Sequence, residues 1–290
     1  MRNAGRPDAP VRDVRRRGAD ESLHRSGRIS VNLLGVTPLD FSGEENVHAL
    51  RQSFEDAGIH VNCCFAMGDS SDRLTHAFEA DVNAVVSSAG RQPAKYMRRV
   101  AGIPSVEGLP VGKEQTDAVM KAVRDSAQDG RSRKAYHDSR ILFSDNNAQK
   151  DKLSNNKPKD PSLWSALDAP GGQHGILVVG EEVYAQSLCG EINALEESVR
   201  GGRRAVCLFP DVDEGRSEDD LICAYREADL VIADPLIRMA CPKGRPFIGI
   251  PHEAYSGRIF RDEIPVFCGP AFDVEGRIRE ALAPVNVRLR

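Results

Sequence analysis

The sequence has no apolar run approaching the roughly 20 residues that a membrane-spanning helix requires. Its first residues are rich in arginine and lack the hydrophobic centre of a secretory signal. No Cys-x-x-Cys pair occurs, no histidine spacing completes a zinc site, and the seven cysteines are an odd number. A 290-residue chain with these absences reads as reduced and cytoplasmic rather than secreted and disulfide-stapled. Also missing are a Gly-x-Gly-x-x-Gly after the first strand of either half and a Gly-x-x-x-x-Gly-Lys-Ser/Thr, so dinucleotide binding and P-loop hydrolysis find no support. Neither Gly-x-Ser-x-Gly nor His-Glu-x-x-His appears. A formal charge of −4 gives no reason to expect nucleic acid or a membrane surface as partner.

What is present is an ordinary globular composition, 40% hydrophobic and 28% charged, long enough for about two domains. One stretch sets the pattern. Val82–Val86 is a β-branched run suited to a strand buried on both faces. Ser87-Ser88-Ala89-Gly90 turns the chain. Pro93 stands near a helix start, where its missing N–H costs nothing, and Gly102 ends that helix. Ile103–Val106 returns as a strand, closed by Gly108-Leu109-Pro110-Val111-Gly112. Such a unit requires a right-handed crossover and a parallel sheet.

The same alternation fills most of the chain. Met1–Arg28, with eight arginines and four acidic residues, reads as a flexible tail. Ile29–Leu34 is a strand, and Ser42-Gly43-Glu44-Glu45 matches a capping box for a helix buried through Val47, Leu50, Phe54 and Ala57. Ile59–Phe65 follows, then a loop through Met67-Gly68 capping a helix with Leu74, Ala77 and Phe78. Lys113–Ala127 is the last helix of a four-strand Rossmann-like domain over residues 29–128. Residues 129–174 are polar, without sustained period, and read as a linker carrying an insertion, with Ile141-Leu142-Phe143 and Leu163–Leu167 as apolar anchors. A second Rossmann-like domain over 175–290 has strands at Gly175–Gly180, Ala205–Phe209, Leu230–Ala233 and Pro246–Ile250, with another at Ile264–Phe267. Its helices carry Leu188, Ile192, Leu195 and Val199, then a capped start at Ser217, then Val274, Ile278 and Ala281. The expected fold is α/β, two Rossmann-like domains with short parallel sheets facing a cleft.

In such folds ligands bind beyond the carboxyl ends of strands. From the first half these loops contain Met67, Gly68, Ser87, Ser88, Pro110, Val111 and Gly112. From the second they contain Gly180, Glu181, Asp234, His252 and Glu253. Small residues in the first set would admit a ligand to the backbone, as would those at Gly35 and Gly90. Glu181, Asp234, His252 and Glu253 would supply polar or proton-transfer chemistry. Taken one loop at a time, ordinary turn chemistry explains each glycine as well. Cys63, Cys64 and Cys207 fall in strands and Cys189 and Cys223 on helices, all as core thiols, while Cys241 and Cys268 are placed to reach a cleft. Asp211-Val212-Asp213 beyond a strand end has the form of a divalent-metal site under a nucleotide-sugar diphosphate, or of a solvated loop.

Val31–Phe41, Ala66–Ser70, Val82–Ser88, Gly102–Pro104 and Gly108–Gly112 resemble, in order and spacing, the middle domain of nitrogenase component 1-type oxidoreductases. Ile176–Glu181 is similar to the strand opening that family's last domain. The resemblance covers Ile29–Asp125 and Gly175–Ala283. It implies Rossmann-like domains around a cleft, an iron–sulfur or larger metallocluster there or at a subunit interface, a homologous partner subunit, and electrons from an ATP-dependent iron-protein reductase. The family's N-terminal domain, which supplies most cluster cysteines, has no counterpart before Ile29. No cysteine here matches those ligands, so the resemblance implies a cluster bound only with a partner subunit. A two-domain sugar-nucleotide transferase using Asp211 and Asp213, and a non-catalytic binding or assembly protein of the same fold, are the alternatives.

Overall fold

A computed structural model describes residues 27–140, 175–209 and 218–283. The expected α/β architecture is observed as two all-parallel sheets. In the first half, β1 (Ser30–Leu34), α1 (Pro38–Phe41), α2 (Glu44–Asp56), β2 (His60–Cys64), α3 (Ser71–Leu74), β3 (Val82–Val85), α4 (Arg91–Ala101), β4 (Ser105–Glu107), α5 (Lys113–Asp129) and β5 (Arg133–Lys134) follow in order. The second half runs β6 (Ile176–Val179), α6 (Glu182–Ala194), α7 (Glu197–Arg200), β7 (Ala205–Leu208), α8 (Glu218–Glu227), β8 (Leu230–Ala233), β9 (Phe247–Gly249), α9 (Glu253–Phe260) and α10 (Val274–Leu282). Strand order is β2-β1-β3-β4-β5 in one sheet and β7-β6-β8-β9 in the other. In both, the chain reverses direction across the sheet beside its first strand, which opens a crevice between β1 and β3 and between β6 and β8. The inner strands β3, β6 and β8, and β7 at the edge of its sheet, are buried at every residue, as strands covered on both faces must be.

Several local expectations are corrected. Ser42 does not cap α2: it lies at φ 58° and its hydroxyl donates to Glu253 at 3.0 Å, while Gly43 takes the cap position. A separate turn of helix, α1, is capped by Thr37 instead, whose Oγ1 accepts from the Asp40 amide. The helix expected around Leu74–Phe78 breaks into α3 and a 3-10 turn at Ala77–Glu79, leaving Phe78 exposed. β4 begins two residues later than Ile103, and a fifth strand, β5, lies inside the stretch read as linker. The helix through Leu188 breaks at Leu195, whose backbone is extended. Ile264–Phe267 is not a strand; the pairing near it is a single bridge between Val111 and Gly269. Cys268 is fully buried and reaches no cleft, and Cys223 is exposed rather than core. Ile141–Phe143, Leu163–Leu167, Ser217 and Asp211–Asp213 lie outside the described residues, as does most of the arginine-rich tail.

The halves share their interior. One continuous apolar cluster runs from Val31, Phe54 and Val119 to Leu188, Ile232 and Ile278. The joint is α5 against α6. α6 is buried on almost every side, including Glu182, Gln186, Ser187 and Glu191. Buried polar groups need partners, and these find theirs in the first half and the strip that follows it. Ser187 Oγ accepts from Leu109 N at 2.9 Å, and Gln186 Oε1 accepts from Ser139 N at 2.9 Å.

Candidate functional site

The two crevices meet. Beyond β1 and β3, Gly35 and Ser87 interlock: Ser87 Oγ donates to the Gly35 carbonyl at 2.7 Å. Gly90 packs on Leu34 so closely that a Cβ there would stand 2.3 Å from the Leu34 carbonyl oxygen. Beyond β6, Glu181 caps α6 by accepting from Tyr184 N at 2.9 Å, and its other oxygen accepts from Ser88 N at 2.8 Å. Thus Ser87-Ser88 and Gly180-Glu181, one loop from each half, touch. Burial raises the Glu181 carboxyl above its ordinary pKa, with the nearby Asp40 charge adding to it, although the two backbone hydrogen bonds pull the other way.

Gly112 follows the same plan. The first turn of α5 leaves amides free, and the Glu191 carboxylate from α6 accepts from Lys113 N at 3.1 Å and Gln115 N at 2.7 Å. A Cβ on Gly112, at φ 69°, would meet that carboxylate at 2.3 Å. The small residues after the strands therefore make room for protein. Carboxylates of the second half occupy the amides that a bound anion would use in other folds of this type. Met67 and Gly68 are not brought to this seam; Gly68 packs on Val47 and Arg51 beside the Arg51–Asp69 ion pair at 2.6 Å.

At the second crevice a cavity of about 20 Å³, space for one water molecule, is lined by Gly180, Tyr184, Asp234, His252, Tyr255 and Phe267 among others. Asp234 is buried and accepts from His252 N at 2.9 Å, Leu236 N at 3.0 Å and Ser256 Oγ at 2.5 Å. His252 caps α9 and lies 5.2 Å from the Tyr255 ring. The Tyr184 hydroxyl is buried and meets no hydrogen-bond partner among the described residues, and burial pushes its pKa up. Glu253 is turned away to Ser42 and Arg261.

A second constellation goes beyond the sequence expectations. Arg91, at the start of α4, holds both oxygens of Glu107 at 2.8 and 2.9 Å and reaches Glu182 of α6 at 2.6 Å. Arg140 takes the other Glu182 oxygen at 2.9 Å, and Tyr136 donates to Glu107. Burial pushes both carboxyls up, but the hydrogen bonds and charge of Arg91, joined by Tyr136 and Lys134 at Glu107 and by Arg140 at Glu182, outweigh it and hold them below the ordinary carboxylate range. Charged residues at the ends of predicted elements read as solvent-facing, so the sequence carries no signal for this set.

No group of three or more His, Cys, Asp or Glu residues is arranged to hold a metal among the described residues. Burial pushes the Cys63 thiol up to about 12 and Cys64 to about 11, and raises Cys189 and Cys268 well above the ordinary thiol value, as in core thiols. An iron–sulfur cluster needs thiolates converging on one point, and these residues do not fit one.

The sequence pattern of the nitrogenase component 1 type oxidoreductase family matches residues 9–157, just over half of the chain. The chain belongs to that family. Its relatives include one of the subunits of light-independent protochlorophyllide reductase. The Methylobacterium sp. (strain 4-46) protein is 35% identical over 95 residues, which are 32% of this chain and 19% of the relative. Its Prosthecochloris aestuarii counterpart is 36% identical over 88 residues, 30% of this chain and 16% of the relative. The Halorhodospira halophila counterpart is 23% identical over 265 residues, covering 89% of this chain, second half included. The chain spans 48% of that relative's length and under a fifth of the first one's. Among solved structures, the NAD+-bound 3-phosphoglycerate dehydrogenase of Entamoeba histolytica overlaps 88% of this chain and 91% of its own at 11% identity, with a TM-score of 0.27, too low to carry an argument. No helix among the described residues is long and apolar enough to cross a membrane.

Proposed function

We propose that the chain is one component of a multi-subunit reductase of nitrogenase component 1 type, whose metallocluster is held with a homologous partner subunit and reduced by an ATP-dependent iron-protein reductase. The observation that carries this reading is the family match taken together with the cysteine geometry. The chain has the family's pattern, yet its cysteines form no group of three or more that could hold a metal among the described residues. On this reading the partner supplies the cluster ligands. The surface beyond the strand ends suits a partner: Leu39 on α1, Met239 after β8 and Ile259 on α9 are each more than half exposed. Gly180, Asp234 and His252 form the ligand-facing side, while Ser87, Ser88, Glu181 and Gly112 make the seam that fixes it. Met67 and Gly68 act behind α2, away from the ligand.

A second reading, a non-catalytic binding or assembly protein, is favoured by Glu181 and Glu191 occupying the amides of the seam. Purification of the tagged chain from anaerobically grown cells, with iron and sulfide analysis of each fraction, separates them. The reductase reading expects iron and sulfide in fractions that hold a second subunit. Stoichiometric iron and sulfide on the isolated, reconstituted chain overturns the shared cluster. Recovery of the chain alone and free of iron decides for the binding protein.

A further inference from the structure

An open cleft of about 610 Å³ lies between α4 and the last two strands of the first sheet, β4 and the edge strand β5. That is within the roughly 300–1,000 Å³ of small-molecule sites, and it shares no lining residue with the cavity at the second crevice. Its wall is strongly cationic. Arg91, Lys95, Arg98 and Arg99 enter from α4 and Lys134 from β5, against the two carboxylates Glu107 and Glu182. The α4 cations fall at i, i+4, i+7 and i+8, one face of a helix, while the adjoining face buries Ala94, Met97 and Ala101.

The carboxylates are already committed. Glu107 is taken by Arg91, Tyr136 and Lys134, and Glu182 by Arg91 and Arg140. Lys95, Arg98 and Arg99 have no ion pair among the described residues. Arg98 is held in place through Nη1 by the carbonyls of Gly102 and Gly130, each at 2.9 Å, so it is positioned without being neutralised. Arg99 stacks on Tyr96 at 5.6 Å. Like charges at i, i+3 and i+4 repel and weaken a helix; the helix C-terminus favours Arg98 and Arg99 in its last turn, but no carboxylate among the described residues neutralises these three cations. This concentration of positive charge stands on a chain whose formal charge is −4.

We propose that this cleft binds a small polyanion carrying two or more phosphate or carboxylate groups. Lys95 and Arg99 sit about 6 Å apart along the helix axis, by the rise of about 1.5 Å per residue, and so address neighbouring anionic groups of one molecule. Guanidinium groups bind both chemistries through paired N–H donors. A monoanion meets one of these cations at a time and binds weakly.

Isothermal titration calorimetry on the full chain tests this, with pyrophosphate and citrate as probes, inorganic phosphate as the lower-charge control and poly-glutamate as an acidic-peptide mimic. The expected result is saturable binding of pyrophosphate or citrate, tighter than inorganic phosphate and weakened by added salt. Whichever of the two binds more tightly tells phosphate from carboxylate chemistry. Lys95→Glu with Arg99→Glu should weaken that binding by at least about tenfold, and Lys121→Glu on the exposed face of α5 should leave it unchanged. Circular dichroism confirms that the exposed substitutions leave the fold intact. Absence of binding by both probes, equal affinity in the double variant, or saturable binding of poly-glutamate alone overturns the proposal.

Discussion

Glu181 shows how one residue can hold two domains and still carry a cost. Its carboxylate accepts amide protons from both halves, but burial lifts its pKa above the value of 4.5 for an unperturbed group. For a raised carboxyl the folded state binds the proton more tightly than the unfolded chain does. Stability from this group is therefore present in acid and is lost as pH rises from about 4.5 through the folded pKa. Glu191, also raised by burial, adds in the same direction. Glu107 and Glu182 are lowered, so their contribution is present above about 4.5 and is lost as pH falls through their folded values. Glu181→Gln removes one titrating group and keeps an acceptor. Urea denaturation across mildly acidic to neutral pH should show the variant gaining on the parent as pH rises. Parallel profiles would show that Glu181 does not titrate in this window. Glu181 was legible in the sequence as a residue just past a strand end. Its partner was not, because nothing in a Ser-Ser turn says which distant carboxylate its amide will meet.

At the scale of elements, the strands were legible wherever a short valine- or isoleucine-rich run was bounded by turn-forming residues, as at Val82–Val85 before Ser87-Ser88 and at Ile176–Val179 between Gly175 and Gly180, since both faces are covered. Helix ends were less so. Ser42 and Glu45 have the spacing of a capping box, but the hydroxyl is drawn to Glu253 across the domain joint, a long-range contact that local pattern does not encode. α6 was read through Leu188 and Ile192 as a helix with one buried side. Its polar residues Gln186, Ser187 and Glu191 sit at helical spacing and so resemble a solvent face, yet they are buried and serve amides of the first half and of the strip that follows it. α5 has no side-chain cap of its own. It is capped from another element, by Glu191. Glu191→Ala should cost about 0.5–2 kcal/mol, the range for losing an N-cap, and Glu191→Gln should restore part of it because one acceptor remains. Chemical denaturation of the two variants reads this. A cost within error of zero for both would mean that solvent satisfies the Lys113 and Gln115 amides equally well.

At the scale of the molecule one large apolar cluster joins the two halves, with a smaller separate one in each half, so the two sheets should unfold together, and the polar joint sets how firmly. Arg91 is its pivot, binding Glu107 of one half and Glu182 of the other while about a quarter exposed. Leaving two carboxylates beside each other without it should be costly, since Lys134 and Arg140 each reach only one of them. Arg91→Met should destabilise the protein by about 3 kcal/mol, the low end for breaking a buried pair. The loss comes mostly from the stranded charges rather than from the value of the pairs themselves. It follows that adding Glu107→Gln and Glu182→Gln to Arg91→Met should recover much of the stability, although Arg140 and Lys134 then lose their partners at the solvent edge. Urea denaturation followed separately by tyrosine fluorescence and far-ultraviolet circular dichroism gives both the free energy and the cooperativity. If Arg91→Met unfolds at the parental midpoint, or if the triple variant is less stable than the single one, the joint is held by the shared apolar core alone and the ion cluster is incidental to it.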